Sequence, residues 1–170
     1  IVHRIDKDTS GLLIIAKNDI SHINVSEQIK NHEVKKTYIA LVRGVVKENQ
    51  ATINMPIGRS DKDRKKMAVR KDGKNAITHF DVIKRYNGYT LLEINIETGR
   101  THQIRVHSKH IGHPILGDSL YGNSSNLISR QALHACKVEF IHPITRKKVS
   151  YSSNLPKDIQ NLIEILYKAE

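Results

Sequence analysis

Asn87-Gly88 lies between two stretches rich in β-branched and aromatic residues, and no other feature limits the fold of this chain as much. Both residues tolerate positive φ, so they can close a two-residue turn whose twist suits antiparallel strands. A hairpin with strands over about 75–86 and 89–97 follows. Lys36 to Val46 alternates and carries Tyr38, Ile39, Leu41 and Val42, which predicts another strand, ended by Gly44. Further strands are expected over 51–57 and 133–141. The apolar run Gly11-Leu12-Leu13-Ile14-Ile15-Ala16 reads as a buried one. Asp72-Gly73 closes a charged segment that starts at Gly58, and it is a second hairpin signal.

Three segments read as helices. Asp19-Ile20-Ser21 offers N-cap residues to a stretch reaching about Asn31, with Ile20, Ile23, Val25 and Ile29 as its apolar face. Thr101 to Ile111 is entered through Thr98-Gly99-Arg100, and Asp158 to Lys168 is amphipathic and started by Pro156. Strands dominate, so the fold class is α+β: a mixed, mainly antiparallel sheet with a few packed helices. A length of 170 residues suits one domain, 1–170, that can bury a core without disulfides or a structural metal. The chain opens abruptly on a motif, so an N-terminal truncation is expected.

Lys and Arg total 28 against 17 acidic residues, a net charge of +11. Such an excess repels itself in a compact state and points to a polyanionic partner, with nucleic acid the leading class. Arg59, Arg64, Lys65, Lys66 and Arg70 lie in the charged segment and are expected to touch phosphate. With no Trp, six Tyr and two Phe, the chain lacks the aromatic rows of an open single-strand binding surface. No apolar run approaches the roughly 20 residues that span a bilayer, so no membrane partner is expected. The lone Cys136 cannot form an internal disulfide, which favours a reducing, cytoplasmic location.

Asp6 stands among basic residues in His3-Arg4-Ile5-Asp6-Lys7-Asp8-Thr9-Ser10-Gly11. By itself, Asp8-Thr9-Ser10-Gly11 suits an ordinary turn. Asp6 and Asp8, two apart, could hardly flank a sugar from both sides, so they make a poor glycosidase pair. Arg105 is bracketed by Ile104 and Val106, which should bury part of its stem. A buried guanidinium needs a carboxylate or phosphate partner, and Asp6 is a candidate. His102, His107, His110 and His113 crowd one region without the spacing of a zinc site, and no cysteine joins them. No metal is expected.

The segment His3 through Leu12 resembles the nucleophile motif of the RluA/RluD-type RNA pseudouridine synthases. Four further stretches match that family in order. They are Lys36-Thr37-Tyr38-Ile39-Ala40-Leu41-Val42; Thr98 through His107; Ile111 through Asp118 with Tyr121-Gly122; and Arg130-Gln131-Ala132-Leu133-His134-Ala135 leading to His142-Pro143. Two departures stand out: Ile5 replaces a usual Leu, and residues 1–170 do not include the Lys-Pro-x-Gly segment, early strand and S4-type domain that the family carries ahead of the motif. The resemblance implies Asp6 as catalytic nucleophile, Tyr38 as the ring against uracil and a candidate for proton transfer, and Arg105 as the basic partner of Asp6. It implies Leu133 as an apolar wall, and it suggests Arg4 as the residue filling the gap left by an extracted nucleotide.

Uridine isomerisation breaks the bond from ribose C1′ to uracil N1 and rejoins the base through C5. No electrons are exchanged, so no cofactor is implied. The carboxylate needs near-attack geometry on uracil C6 or ribose C1′, and the target base must be flipped out of its stack. The implied partner is RNA, ribosomal (large-subunit) rather than transfer, and the implied state is a monomer. Two rivals stand beside this reading. One is a non-catalytic RNA-binding module. The other is a ribonuclease using His3 and His102 as acid and base, which would shorten its RNA.

Overall fold

Asn87-Gly88 joins β6 (Ile77–Tyr86) to β7 (Tyr89–Ile96) in the computed structural model, which describes residues 1–169. Tyr86 faces Tyr89 across the turn, so the register is set at its tightest point. β7 pairs antiparallel with β2 (Lys35–Arg43) on its other side, and β6 with β3 (Gln50–Asn54). Beyond β2 lies β8 (Leu133–Ile141), again antiparallel. The outer edge of β8 is shared by β1 (Ser10–Gly11), in parallel, and β9 (Lys148–Ser152), antiparallel. The result is a seven-stranded, mixed, mainly antiparallel sheet. A separate ribbon pairs β4 (Ile57–Arg59) with β5 (Met67–Val69).

The helices are α1 (Asp19–Lys30), α2 (Gln103–His110) and α3 (Lys157–Lys168). α3 places Ile159, Leu162 and Leu166 at helical spacing into the main core, with Leu41, Val42, Leu92 and Ile94 of the central strands. A smaller cluster of Ile57, Ala76, Val106 and Tyr121 binds the ribbon to α2. No helix among the described residues is long and apolar enough to cross a membrane.

Several elements differ from the sequence reading. The apolar run 11–16 is not a buried strand: only Ser10–Gly11 pairs, and Ile15 is 63 % exposed. β9 occupies the same edge of β8 from Lys137 onward, so β1 has no backbone left to pair with. β9 is a short, largely exposed edge strand whose apolar alternation is only Val149 and Tyr151, too brief to signal a strand. The segment 51–57 splits into β3 and the start of β4. The ribbon turns through 60–66, while Asp72-Gly73 folds the chain back so that Lys74 bridges Ile57. α2 begins two residues later than expected, because His102 takes a left-handed conformation (φ 56°). In α1, Ile20 and Ile23 stay exposed. The helix docks instead through Val25 and Gln28, whose amide exchanges two hydrogen bonds with the backbone of Ile141, at 2.8 and 2.9 Å.

Two glycines combine a positive φ with main chain standing where a Cβ would be. Gly11 (φ 116°) brings its Cα against the Ala135 backbone, where a Cβ would lie 2.2 Å from the carbonyl oxygen. At Gly117 (φ 78°) a Cβ would lie 2.1 Å from the carbonyl oxygen of Arg130. Both backbones are in regions that side chains avoid, and the obstructing atoms are main chain. Gly117→Ala is expected to destabilise the fold by about 2–3 kcal/mol, combining strain and displaced backbone. Urea denaturation checks this: the midpoint falls at unchanged slope.

Candidate active site

Asp6 sits in the turn before β1, where Thr9 N–H donates to the Asp6 carbonyl at 3.1 Å and Asp8 takes φ 67°. Side chains from the segment entering β8 hold this turn. Gln131 Nε2 donates to the Lys7 carbonyl (2.7 Å) and to Thr9 Oγ1 (3.1 Å). Arg130 donates to the Asp8 carbonyl (2.9 Å) and Ser10 Oγ (3.2 Å) while pairing with Asp158 of α3 at 2.7 Å. The acid is thus carried by a loop tied to the sheet and a helix, which keeps its carboxylate within narrow limits.

Arg105, on α2, points at that carboxylate: its Nη1 lies 3.4 Å from Asp6 Oδ2. Its stronger partner is Asp118, bound in a fork through Nε (2.7 Å) and Nη2 (2.9 Å). The Asp118 side chain is fully buried, and its Oδ1 also accepts from Leu120 N–H and Tyr121 N–H, each at 3.1 Å. A buried fork of this kind fixes the plane of the guanidinium. Burial alone would favour the neutral guanidine. The bonds to Asp118 and the charges of Asp118 and Asp6 outweigh that and raise the pKa. The Tyr121 ring lies below Arg105, 5.0 Å from Cζ to centroid.

Tyr121 also links α2 to the ribbon. Its hydroxyl accepts from Met67 N–H (2.8 Å) and lies 2.7 Å from His102 Nδ1. Burial lowers the pKa of His102. Two of the other crowded histidines serve separate carbonyls: His107 Nε2 bonds to Met55 O and His113 Nδ1 to Arg43 O, both at 2.9 Å.

A cavity of about 420 Å³ opens in front of this network. Arg4, Asp6, Tyr38 and Leu133 border it, and Arg105 stands behind Asp6. Tyr38 is buried beside a β-bulge, where β8 slips one residue against β2. Burial and the nearby Asp6 charge push its phenol up to about 12. Arg59, Arg64 and Arg70 border a separate hollow on the ribbon, with Lys65 and Lys66 on its connecting loop. There Arg70 is engaged by Asp72 (2.8 Å), by Asp61 and by the Arg59 carbonyl (3.1 Å), and Arg59 donates to the Arg64 carbonyl at 3.0 Å. Arg64 and Lys65 carry the more available charge, while Lys66 lies 3.9 Å from Asp63.

The sequence reading gave no role to Asp118, Tyr121, Arg130 or Gln131. All four lie in the quoted motifs, but only folding shows what they hold. His3, at the cavity rim, accepts from Ile14 N–H at 2.9 Å through Nε2. Burial and then repulsion from Lys36 push its pKa down to about 4, from an ordinary 6.5. A histidine kept neutral by folding takes its proton first in the unfolded chain. Stability contributed by His3 is therefore full above about pH 6.5 and lost as the pH falls towards 4. Thermal melts from pH 7 to 4 are expected to show a falling Tm, and His3→Gln, which keeps an acceptor for Ile14, should flatten that slope.

Comparison with known proteins gives this geometry a context. A family model described as RNA pseudouridylate synthase matches residues 1–110. The chain is 51 % identical over 169 residues to the "Uncharacterized RNA pseudouridine synthase YlyB" of Bacillus subtilis, covering 99 % of this chain and 56 % of that protein. It is 44 % identical over 177 residues to the "Ribosomal large subunit pseudouridine synthase D" of Zymomonas mobilis, covering 98 % and 56 %. The chain thus spans little more than half the length of these curated relatives. Among solved structures, "Human RNA Pseudouridylate Synthase Domain Containing 1" superposes with a TM-score of 0.81 at 26 % identity, over 98 % of this chain and 79 % of that one. Similarity of this depth, continuous through the turn of Asp6, the strand of Tyr38 and the helix of Arg105, leaves one conclusion: the chain belongs to the RNA pseudouridylate synthase family.

Proposed function

We propose that this chain converts a specific uridine of structured RNA, within large-subunit ribosomal RNA, to pseudouridine, with Asp6 as nucleophile and the target base flipped into the cavity. One observation carries the reading. The Asp6 carboxylate borders a cavity of nucleoside dimensions, and its orientation is set by a guanidinium that Asp118 holds from behind. The ribosomal substrate is favoured because relatives over 40 % identical are named for the ribosomal large subunit.

The residues divide the work. Asp6 attacks the nucleoside and N1 separates from C1′. The freed uracil turns between the Tyr38 ring and Leu133, C5 then bonds to C1′, and the bond to the Asp6 carboxylate breaks to release it. The C5 proton must finally leave. Tyr38, with its phenol near 12, is protonated at neutral pH, so it acts as a relay that gives up its own proton as it receives another. Arg4, exposed on the rim, fills the gap in the RNA stack, and Arg64, Lys65 and Lys66 meet phosphates nearby.

The test compares RNA from cells lacking the gene with RNA from the same cells after its return. Chemistry that marks pseudouridine should show one or a few sites that vanish and come back, in RNA of unchanged length. Shortened RNA would favour the ribonuclease instead, and a map that never changes would end the proposal.

A further inference from the structure

Lys36 stands two residues before Tyr38 on β2, so both side chains leave the same face of the strand, about 7 Å apart along it. Both border the cavity of Asp6. Lys36 is only 8 % exposed, and its Nζ reaches the opposite wall, where a Cβ on Gly99 would stand 3.6 Å away. Among the described residues it forms no ion pair and no hydrogen bond through its ammonium. The two acids on the cavity wall are engaged elsewhere, Asp6 with Arg105 and Glu97 with His79 at 2.7 Å.

A buried ammonium without a carboxylate weakens a fold, and burial lowers the pKa of this one. Methionine would fill nearly the same space at no electrostatic cost, so packing does not explain the residue. The surroundings add more donors: Arg4 and Arg100 border the cavity, and the buried Nδ1 of His3 finds no partner. This wall therefore offers positive charge and N–H groups in excess of acceptors. A neutral uracil carbonyl would leave the ammonium charge unbalanced, whereas a phosphodiester would neutralise it.

We propose that Lys36 is the seat of a backbone phosphate next to the flipped uridine, which places the nucleotide by its charge while Tyr38 receives the base. This rests on the RNA isomerase reading above. The strand geometry suits it, since the two side chains are separated by about the reach of one nucleotide along a strand rising ~3.3 Å per residue.

The test uses the intact protein and a synthetic stem–loop carrying the uridine mapped in the gene-deletion experiment. Lys36→Met should weaken binding roughly 10- to 100-fold, as for the loss of a hydrogen bond to a charged group. It should flatten the dependence of log K on log salt by about 0.7, one single-strand phosphate contact. It should also melt higher than the wild type, an outcome that a structural role would reverse. A neutral methylphosphonate at one phosphate flanking the uridine should weaken the wild type and add nothing to Lys36→Met. Lys36→Gln gives the same comparison if the Met variant does not fold. Unchanged binding and slope would overturn the inference. So would methylphosphonates that weaken both proteins equally, or a variant that binds normally and only turns over slowly. If the wild type makes no pseudouridine at all, the functional reading itself fails. Wild-type turnover with unaltered Lys36→Met binding ends only the phosphate seat.

Discussion

Asp6→Asn is expected to lower pseudouridine formation by at least ~10⁴-fold, the scale on which loss of a nucleophile acts when no other group can replace it. Asn keeps the shape and an oxygen for Arg105 to approach, but it is not a carboxylate. The fold should survive, because Arg105 retains both bonds to Asp118, and these are shorter than its 3.4 Å contact with Asp6. RNA binding should also survive, since the cations on the rim and ribbon are untouched. Single-turnover assays on the mapped stem–loop, with affinity measured in parallel, separate the two quantities. Turnover within tenfold of the wild type would remove Asp6 from the chemistry and return the chain to the class of RNA-binding modules.

Asp118 should show the largest effect on stability. Asp118→Ala strands the Arg105 guanidinium in a site where its side chain is 7 % exposed, and it leaves Leu120 N–H and Tyr121 N–H without their acceptor. Breaking a buried pair from one side costs about 3–5 kcal/mol. Asp118→Asn keeps an oxygen for the two N–H groups but removes the charge and turns an amide donor towards Arg105 Nε–H, so it should fall between Ala and the wild type. Activity should drop with it through kcat rather than KM, because Arg105, released from behind, turns fully onto Asp6 and draws the carboxylate back from the cavity. Urea denaturation and steady-state kinetics on the same preparations check both parts. An Asn variant as stable as the wild type would mean that the fork contributes shape and no charge pairing.

The elements that were legible in the sequence share one property: their signals are local. Asn87-Gly88 encodes its own turn, and the strand at 133–141 and the helix opened by Pro156 carry their period in adjacent residues. What was misread depends on neighbours far along the chain. Leu12 to Ala16 has the composition of a strand, yet β9 holds the edge it would need. Ile20 and Ile23 look like a buried face, yet Gln28 decides how α1 docks by pairing with the backbone of Ile141. Asp72-Gly73 signals a hairpin, whereas the ribbon strands β4 and β5 meet across 60–66.

The site divides along the same line. Asp6, Tyr38 and Arg105 could be chosen from the order of residues because each lies in a short motif that resembles one family. Their distances could not, nor could the group that orients them. Asp118 lies 13 residues beyond Arg105, and Gln131 lies 124 beyond the Lys7 carbonyl it holds. The chain order alone determined the residue chemistry, the hairpin and the strand-rich class, because these follow from backbone preferences within a few residues. Tertiary structure decided which acid grips Arg105, which edge of β8 was free and that Lys36 is buried without a counter-charge. Burial and charge pairing are sums over groups from remote segments, and those groups become neighbours only when the sheet closes.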